Sequence, residues 1–65
     1  MNKRYDKDSD AMYIYLEEGD YEVSEEIGEG IVLDISKEGK IIGIEILDFS
    51  EKISKNIFNN IVLEK

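Results

Sequence analysis

The 65-residue chain contains no cysteine, histidine, proline or tryptophan. Without cysteine it cannot form disulfide bonds, and without cysteine and histidine it lacks the usual ligands of zinc sites. No histidine is available to activate a serine nucleophile, and no catalytic residue is predicted. A domain of this length buries only about 60% of its unfolded surface. Tight packing or self-association must therefore supply the stability that disulfides or metals give other small domains.

Long apolar runs are missing as well. No N-terminal stretch has the pattern of a signal peptide, and none is long enough to span a bilayer. The expectation is a single domain, residues 1–65, located in the cytoplasm and without membrane contact. The absence of cysteine fits a reducing compartment.

The charge of the chain is strongly acidic and unevenly distributed. The net charge is −8, and ten acidic residues with no basic residue lie between Asp8 and Asp34. This segment would repel a phosphate backbone, so nucleic-acid binding is not expected. A basic protein partner is compatible with it. The alternative explanation is that acidic surfaces simply keep small proteins soluble.

Two β-branched runs around a turn, residues 30–35 and 41–47, form the most informative stretch. Gly39 is predicted to adopt a positive φ in the turn. Pairing of Ile35 with Ile41 and of Val32 with Ile44 would then place apolar residues on both faces of the hairpin. One predicted face carries Ile31, Leu33, Ile35, Ile41 and Leu47. The other predicted face carries Val32, Ile42, Ile44 and Ile46.

The remaining segments predict more strands and a final helix. Residues 11–16 are predicted to form a strand with the tyrosines on one face. Residues 21–27 are predicted to form a third strand, in which Glu25 indicates a bulge, an edge or an early end. Apolar residues every four positions predict a helix over residues 49–60, capped by Asp48 or Ser50, and Asp48 with Glu51 has the pattern of a capping box. Residues after Asn60 are either a last helical turn or a short strand. The fold class is α+β, with a four- to five-stranded antiparallel sheet (a meander of hairpins) followed by one C-terminal helix packed on one face.

Acidic residues near the N-terminus come close to a calcium-binding pattern. Asp6, Asp8, Asp10 and Glu17 have the spacing of an EF-hand loop, but Ala11 replaces the glycine that permits its sharp turn. The predicted strand would also carry Glu17 away from the aspartates. A solvated acidic turn is therefore expected, with no metal and no cofactor.

Two acidic residues, Asp34 and Glu45, interrupt the apolar rows of the hairpin. The predicted register places them on opposite faces, where they cannot act on one substrate.

The uncovered sheet face is the predicted interface of a homo-oligomer. Gly43 would let the helix approach closely, so the helix is assigned to its face and the dimer to the row of Ile42, Ile44 and Ile46. The flanking strand would add either its aliphatic or its tyrosine face. The interface candidates are Ile42, Ile44, Ile46, Val32, Met12, Ile14, Tyr13 and Tyr15.

Several blocks resemble a known family. They are Tyr5-Asp6, Asp10-Ala11-Met12-Tyr13-Ile14, Gly30-Ile31-Val32-Leu33-Asp34, Gly39 and Gly43-Ile44-Glu45-Ile46-Leu47-Asp48-Phe49-Ser50. Over residues 4–50 the chain resembles the small prokaryotic domain-of-unknown-function family numbered twenty-two eighty-three. The resemblance implies a compact β-rich domain. Some such proteins are similar to antitoxins encoded beside a basic ribonuclease-like partner.

Two functions follow as expectations. The first is a small, antitoxin-like protein-interaction module that self-associates and binds a basic protein partner. The alternative is a small enzyme or ligand-binding domain whose site forms across an oligomer interface.

Overall fold

A computed structural model describes residues 2–63 of the chain, which form an antiparallel sheet followed by short helical turns. The strands are β1 (Asn2–Asp6), β2 (Ala11–Tyr15), β3 (Tyr21–Gly28), β4 (Ile31–Ser36) and β5 (Ile41–Ile46). The helical turns are α1 (Phe49–Lys52), α2 (Lys55–Phe58) and a π-helical turn (Asn59–Leu63). The predicted α+β class is confirmed. The open question about residues 59–65 is resolved as a helical turn as far as Leu63, and the last two residues lie outside the described range.

The spatial order of the strands is β1-β2-β5-β4-β3. A β1–β2 hairpin and a β3–β4–β5 meander meet where β2 pairs with β5, so the connection from β2 to β3 passes the ends of β5 and β4. The composition explains this order. The apolar strand β5 is suited to the centre of the sheet, whereas the glutamate-rich strand β3 is suited to an edge.

A bulge in β5 changes the register of the central hairpin. Ile35 faces Ile41 as predicted, but an extra residue in β5 then shifts the pairing so that Leu33 faces Ile44. The predicted pairing of Val32 with Ile44 is therefore wrong. Side chains along a strand point alternately to the two faces of the sheet. The shift by one residue therefore moves the apolar row of β5 to the opposite face relative to the apolar row of β4.

The bulge places Ile44 and Ile46 on the same face as Ile31, Leu33 and Ile35, and not on the opposite face. Leu33, Ile44 and Ile14 lie side by side across three strands. From the pairing, the apolar face carries Met12, Ile14, Ile31, Leu33, Ile35, Ile44 and Ile46. The polar face carries Arg4, Tyr13, Tyr15, Ser24, Glu26, Val32, Asp34, Gly43 and Glu45. The expectation that both faces need an apolar cover is wrong.

The C-terminal segment consists of α1 and of a second helical stretch, formed by α2 and the π-helical turn that continues it, and is not one helix over residues 49–60. Ile53 adopts an extended conformation (φ −129°, ψ 163°), which ends α1. Ser54 then starts α2, with its hydroxyl oxygen accepting a hydrogen bond from the N–H of Ile57 (3.2 Å). Serine is a favoured N-cap, and its side chain supports a new helix start at this point.

The helical turns pack on the apolar face, contrary to the assignment to the face of Gly43. The ring of Tyr5 lies 5.9 Å from that of Phe49 and 5.4 Å from that of Phe58. Tyr5 faces Met12 across the β1–β2 pair, which places this aromatic cluster on the apolar face. On the other face Asp34 fills the space beside Gly43, since a Cβ there would lie 3.3 Å from Oδ2 of Asp34.

The described part of the chain has a small core. Its buried apolar residues are Ala11, Met12, Ile42 and Phe49. The radius of gyration is 12.4 Å, against about 11 Å expected for a compact chain of this length. The monomer is therefore an open sheet whose apolar face is only partly covered.

Candidate functional site

Tyr5, Asp10 and Ser50 meet where the β1–β2 turn contacts the start of α1, and we call this group the Asp10 junction. The Tyr5 hydroxyl donates to Oδ1 of Asp10 at 2.6 Å. The Ser50 hydroxyl donates to Oδ2 at 2.7 Å, and the Ser50 N–H donates to Oδ1 at 3.1 Å. Asp10 itself adopts a left-handed conformation with φ of 55°, which aspartate tolerates better than most residues.

The Asp10 junction supplies the cap of α1. The carbonyl oxygen of Asp10 accepts a hydrogen bond from the N–H of Phe49 (2.9 Å), and its carboxylate accepts that of Ser50. Asp48 precedes the helix but makes no side-chain capping bond. The predicted capping box of Asp48 and Glu51 is therefore wrong, because a residue from the β1–β2 turn occupies that role.

The electrostatics of the Asp10 junction favour a structural role over a chemical one. Hydrogen bonds from Tyr5 and Ser50 lower the pKa of Asp10, which makes its carboxylate a weaker base. The hydrogen bond to Asp10, with a smaller effect of desolvation, raises the pKa of Tyr5 to about 12. A weak base and a phenol that holds its proton tightly do not activate the Ser50 hydroxyl as a nucleophile.

The acidic residues with EF-hand spacing are not gathered into one site. Asp6 accepts a hydrogen bond from the N–H of Asp8 (3.0 Å), as in an ordinary Asx turn. The carboxylate of Asp10 is engaged by Tyr5 and Ser50. Glu17 follows the opposite end of β2. Within residues 2–63 no three acidic side chains form a group that could hold a metal ion.

Tyrosines line part of the polar face. The rings of Tyr13 and Tyr15 are stacked with centroids 6.5 Å apart, and the guanidinium of Arg4 lies 5.8 Å from the centre of the Tyr13 ring. Glu45 faces Tyr13 across the β2–β5 pair. Hydrogen bonding to this carboxylate, followed by its negative charge, raises the pKa of Tyr13.

Asp34 and Glu45 share the polar face, and the prediction that they lie on opposite faces is wrong. Asp34 faces Gly43, and Glu45 lies two residues further along β5 on the same side. The bulge causes this difference. Oδ1 of Asp34 accepts a hydrogen bond from the Ser24 hydroxyl (2.8 Å), which links β4 to the edge strand β3.

The half of the apolar face remote from the helical turns has no cover from the described chain, and we call it the uncovered patch. Ile41 is 46% exposed and Val23 is 50% exposed, and the strand pairing places them beside Ile35. Leu33 and Ile44 are half-buried and continue the patch toward the centre of the sheet. It consists of Val23, Leu33, Ile35, Ile41 and Ile44.

The eight predicted interface residues are divided between several environments. Met12 and Ile42 are buried within the monomer, and Ile42 lies against the β2–β3 connection at Gly19. Ile14, Ile44 and Ile46 are half-buried residues of the apolar face. The other three candidates, on the polar face, are Val32, Tyr13 and Tyr15. An interface role for any of the eight stays a prediction.

Sequence reasoning missed two features. It did not identify the Asp10 junction, although the family resemblance included all three of its residues. It also placed Ile44 and Ile46 on the face opposite to Leu33 and Ile35, because the bulge that brings these residues together has no signal in the local sequence. No helix among residues 2–63 is long and apolar enough to cross a membrane.

The comparison with known families adds a single match. The model of the family "Protein of unknown function (DUF2283)" matches residues 3–50. The chain belongs to this family. The match contains all of the sheet except Asn2 and ends at Ser50, so it includes the complete Asp10 junction. No curated protein and no solved structure matches the chain.

Proposed function

We propose that this DUF2283 protein is a small protein-interaction module that self-associates through the uncovered patch and also binds a basic protein partner. Self-association is supported by the contrast between the core, which has four buried apolar residues in the described part of the chain, and the apolar face, which is half open. An association between two such faces would complete a core that one chain leaves unfinished.

The dimensions of the elements explain why the chain does not cover its own sheet. α1 has four residues and is about 6 Å long, and α2 with the π-helical turn that continues it has nine residues (four plus five) and is no more than about 13 Å long. The axes of the outer strands of a five-stranded sheet are about 19 Å apart. The turns stack near Tyr5 and Met12, on the β1–β2 side, and leave the β3–β4 side open.

The free energy that burial of the uncovered patch would contribute is large relative to the stability of so small a domain. Full burial of one aliphatic side chain contributes about 1.5–3 kcal/mol, and the uncovered patch contains five. A single core in a domain this small supplies only about 3–5 kcal/mol. Burying even part of the uncovered patch against a second copy would therefore stabilise the fold substantially. The same residues on both chains would meet in a two-fold interface.

The polar face is a less suitable interface. Asp34 and Glu45 would both lose water there, and unpaired buried carboxylates are costly. The alternative function, an enzyme or ligand site formed across an interface, has less support for the same reason. These two carboxylates lie on the face opposite to the uncovered patch. A cytoplasmic location is proposed from the absence of cysteine alone.

Sedimentation velocity over a range of protein concentrations tests the self-association. We expect a species of about twice the 7.5 kDa chain mass at micromolar concentration, and a shift toward monomer for Ile41→Ser. Ile57→Ser is the matched control, because Ile57 on α2 is 45% exposed, nearly the same as Ile41, and lies outside the uncovered patch. Circular dichroism establishes that both variants are folded.

The control should sediment like the unmodified protein. An unmodified protein that remains a folded monomer at all micromolar concentrations would contradict the proposal. Equal loss of the dimer in both variants would show that the association does not use the uncovered patch.

A further inference from the structure

The strand β3 is a free edge of the sheet. It pairs with β4 on one side and comes last in the strand order, so its other side carries no strand of the described chain. All eight of its residues are exposed. Tyr21, Val23 and Ile27 are the large apolar side chains among them. A long exposed strand with apolar side chains is a ready template for pairing with another chain.

The register of β3 defines the part that can accept a further strand. Shifts in the pairing with β4 occur between Tyr21 and Val23 and between Glu26 and Gly28. Between these irregularities the stretch 23–26 pairs continuously with β4. A strand added to β3 would therefore find a regular frame of about four residues, which is the geometry used in β-strand addition.

Charge determines which strand fits this frame. β3 carries Glu22, Glu25 and Glu26 and no basic residue. Two copies of β3 paired with each other would bring these carboxylates together, and like charges on adjacent strands are destabilising. A strand with lysine or arginine would instead place opposite charges side by side. The charge of β3 therefore disfavours pairing with β3 of a second copy and favours pairing with a basic strand.

We propose that β3 binds a basic extended segment of a partner protein, which adds to the sheet as a further strand beside residues 23–26. Val23 and Glu25 point to one side of the sheet, so the best segment has a β-branched residue opposite Val23 and a basic residue opposite Glu25. Glu26 contributes less, because its carboxylate already accepts a hydrogen bond from the N–H of Gly30 (3.0 Å). This inference rests on the proposed role as an interaction module but does not require self-association.

A second copy of the chain is a poorer occupant of this edge. Its strand β1 is basic, with Lys3 and Arg4, and is the opposite edge of the sheet. Pairing of β1 with β3 would be head-to-tail and would continue from copy to copy unless it closed into a ring. Each copy has a net charge of −8, so such an array would accumulate repulsion.

The test uses an end-capped fluorescent peptide with threonine at every second position. The positions between the threonines carry a lysine and, two residues further on, a valine. Binding is followed by fluorescence anisotropy with the full-length protein. The control peptide has the same side chains and charge but is N-methylated at every residue, so neither of its edges can donate the backbone hydrogen bonds of a sheet. We expect saturable binding of the first peptide and at least about tenfold weaker binding of the second.

Variants of the protein locate the site. Glu25→Lys should weaken binding by about fivefold or more, because one cross-strand attraction becomes a repulsion. Asp8→Lys changes the net charge equally but lies in the β1–β2 turn, and β1 and β3 are the opposite edges of the sheet, so this variant should bind like the unmodified protein. Sedimentation of each variant without peptide reports self-association separately, so failure of the two proposals can be distinguished.

Three results would overturn the proposal. The peptides could bind equally well, which would indicate attraction by charge alone. The two charge variants could lose the same affinity, which would exclude β3 as the site. The protein alone could form concentration-dependent arrays that Lys3→Glu abolishes, which would assign the edge to a second copy.

Discussion

Asp10 caps helix α1 from 40 residues away, through hydrogen bonds from both the N–H and the hydroxyl of Ser50. The β1–β2 turn is therefore tied directly to the helical segment that follows the last strand. Since the helical stretches are only four residues (α1) and nine residues (α2 with the π-helical turn) long, they have little stability of their own. Their position on the sheet depends on this tie and on the aromatic cluster of Tyr5, Phe49 and Phe58.

Removing the Asp10 carboxylate should destabilise the fold. Asp10→Ala removes the cap and places alanine at a positive φ, so we expect a loss of about 2 kcal/mol in the free energy of unfolding. Asp10→Asn should lose less, because asparagine tolerates this conformation and keeps an acceptor oxygen. Ser50→Ala retains the backbone N–H and should cost about 1 kcal/mol. Urea unfolding measures all three, and equal losses for Ala and Asn at residue 10 would contradict the proposed cap.

The Asp10 junction also predicts how stability changes with pH. Hydrogen bonds from Tyr5 and Ser50 lower the pKa of Asp10 from its ordinary value of 3.8. The ionised carboxylate therefore stabilises the folded state, fully above the ordinary pKa and progressively less as pH falls through the lowered one. We expect the free energy of unfolding to decline below about pH 4.

Asp10→Asn should flatten this decline, since an amide does not titrate in this range. Tyr5→Phe should flatten it partly, because it removes one of the bonds that lower the pKa. Urea unfolding at a series of pH values between neutral and pH 3 is the measurement. A pH dependence in Asp10→Asn as steep as in the unmodified protein would show that other carboxylates are responsible.

The sequence predicted the strands more reliably than their relationship across the sheet. Gly39 adopts the predicted positive φ of 84°, and Ile35 faces Ile41 as expected, because turn geometry is encoded locally. The bulge that follows depends on how β5 fits between β2 and β4, which is tertiary information. One extra residue was enough to exchange the faces of Val32 and Leu33 and to mislead the assignment of helix and interface.

The C-terminal segment and the Asp10 junction show the same limit. The four-residue apolar period correctly indicated helical structure, but it could not show that Ser54 starts a second turn. The capping-box pattern at Asp48 was present in the sequence and unused in the structure. A competing cap came from Asp10, and a contact across 40 residues leaves no periodic signal. The family resemblance marked these residues without giving their role.

The register created by the bulge can be tested by coupling between side chains. Leu33 faces Ile44 on the apolar face, whereas Val32 faces Glu45 on the polar face. In a double-mutant cycle to alanine, Leu33 and Ile44 should therefore couple by about 0.5–1 kcal/mol. Val32 and Ile44 should couple by less than about 0.3 kcal/mol, because residues without contact contribute additively. Both pairs join adjacent strands and differ by one position in β4, so each cycle is the control for the other.

Urea unfolding at one fixed protein concentration gives the four free energies of each cycle and keeps any self-association constant. The continuous register without a bulge would pair Val32 with Ile44 and reverse the two coupling energies. Strong coupling of Val32 with Ile44, together with additive effects at Leu33 and Ile44, would therefore place Leu33 on the opposite face. It would also remove Leu33 from the uncovered patch, leaving the proposed interface without its central residue.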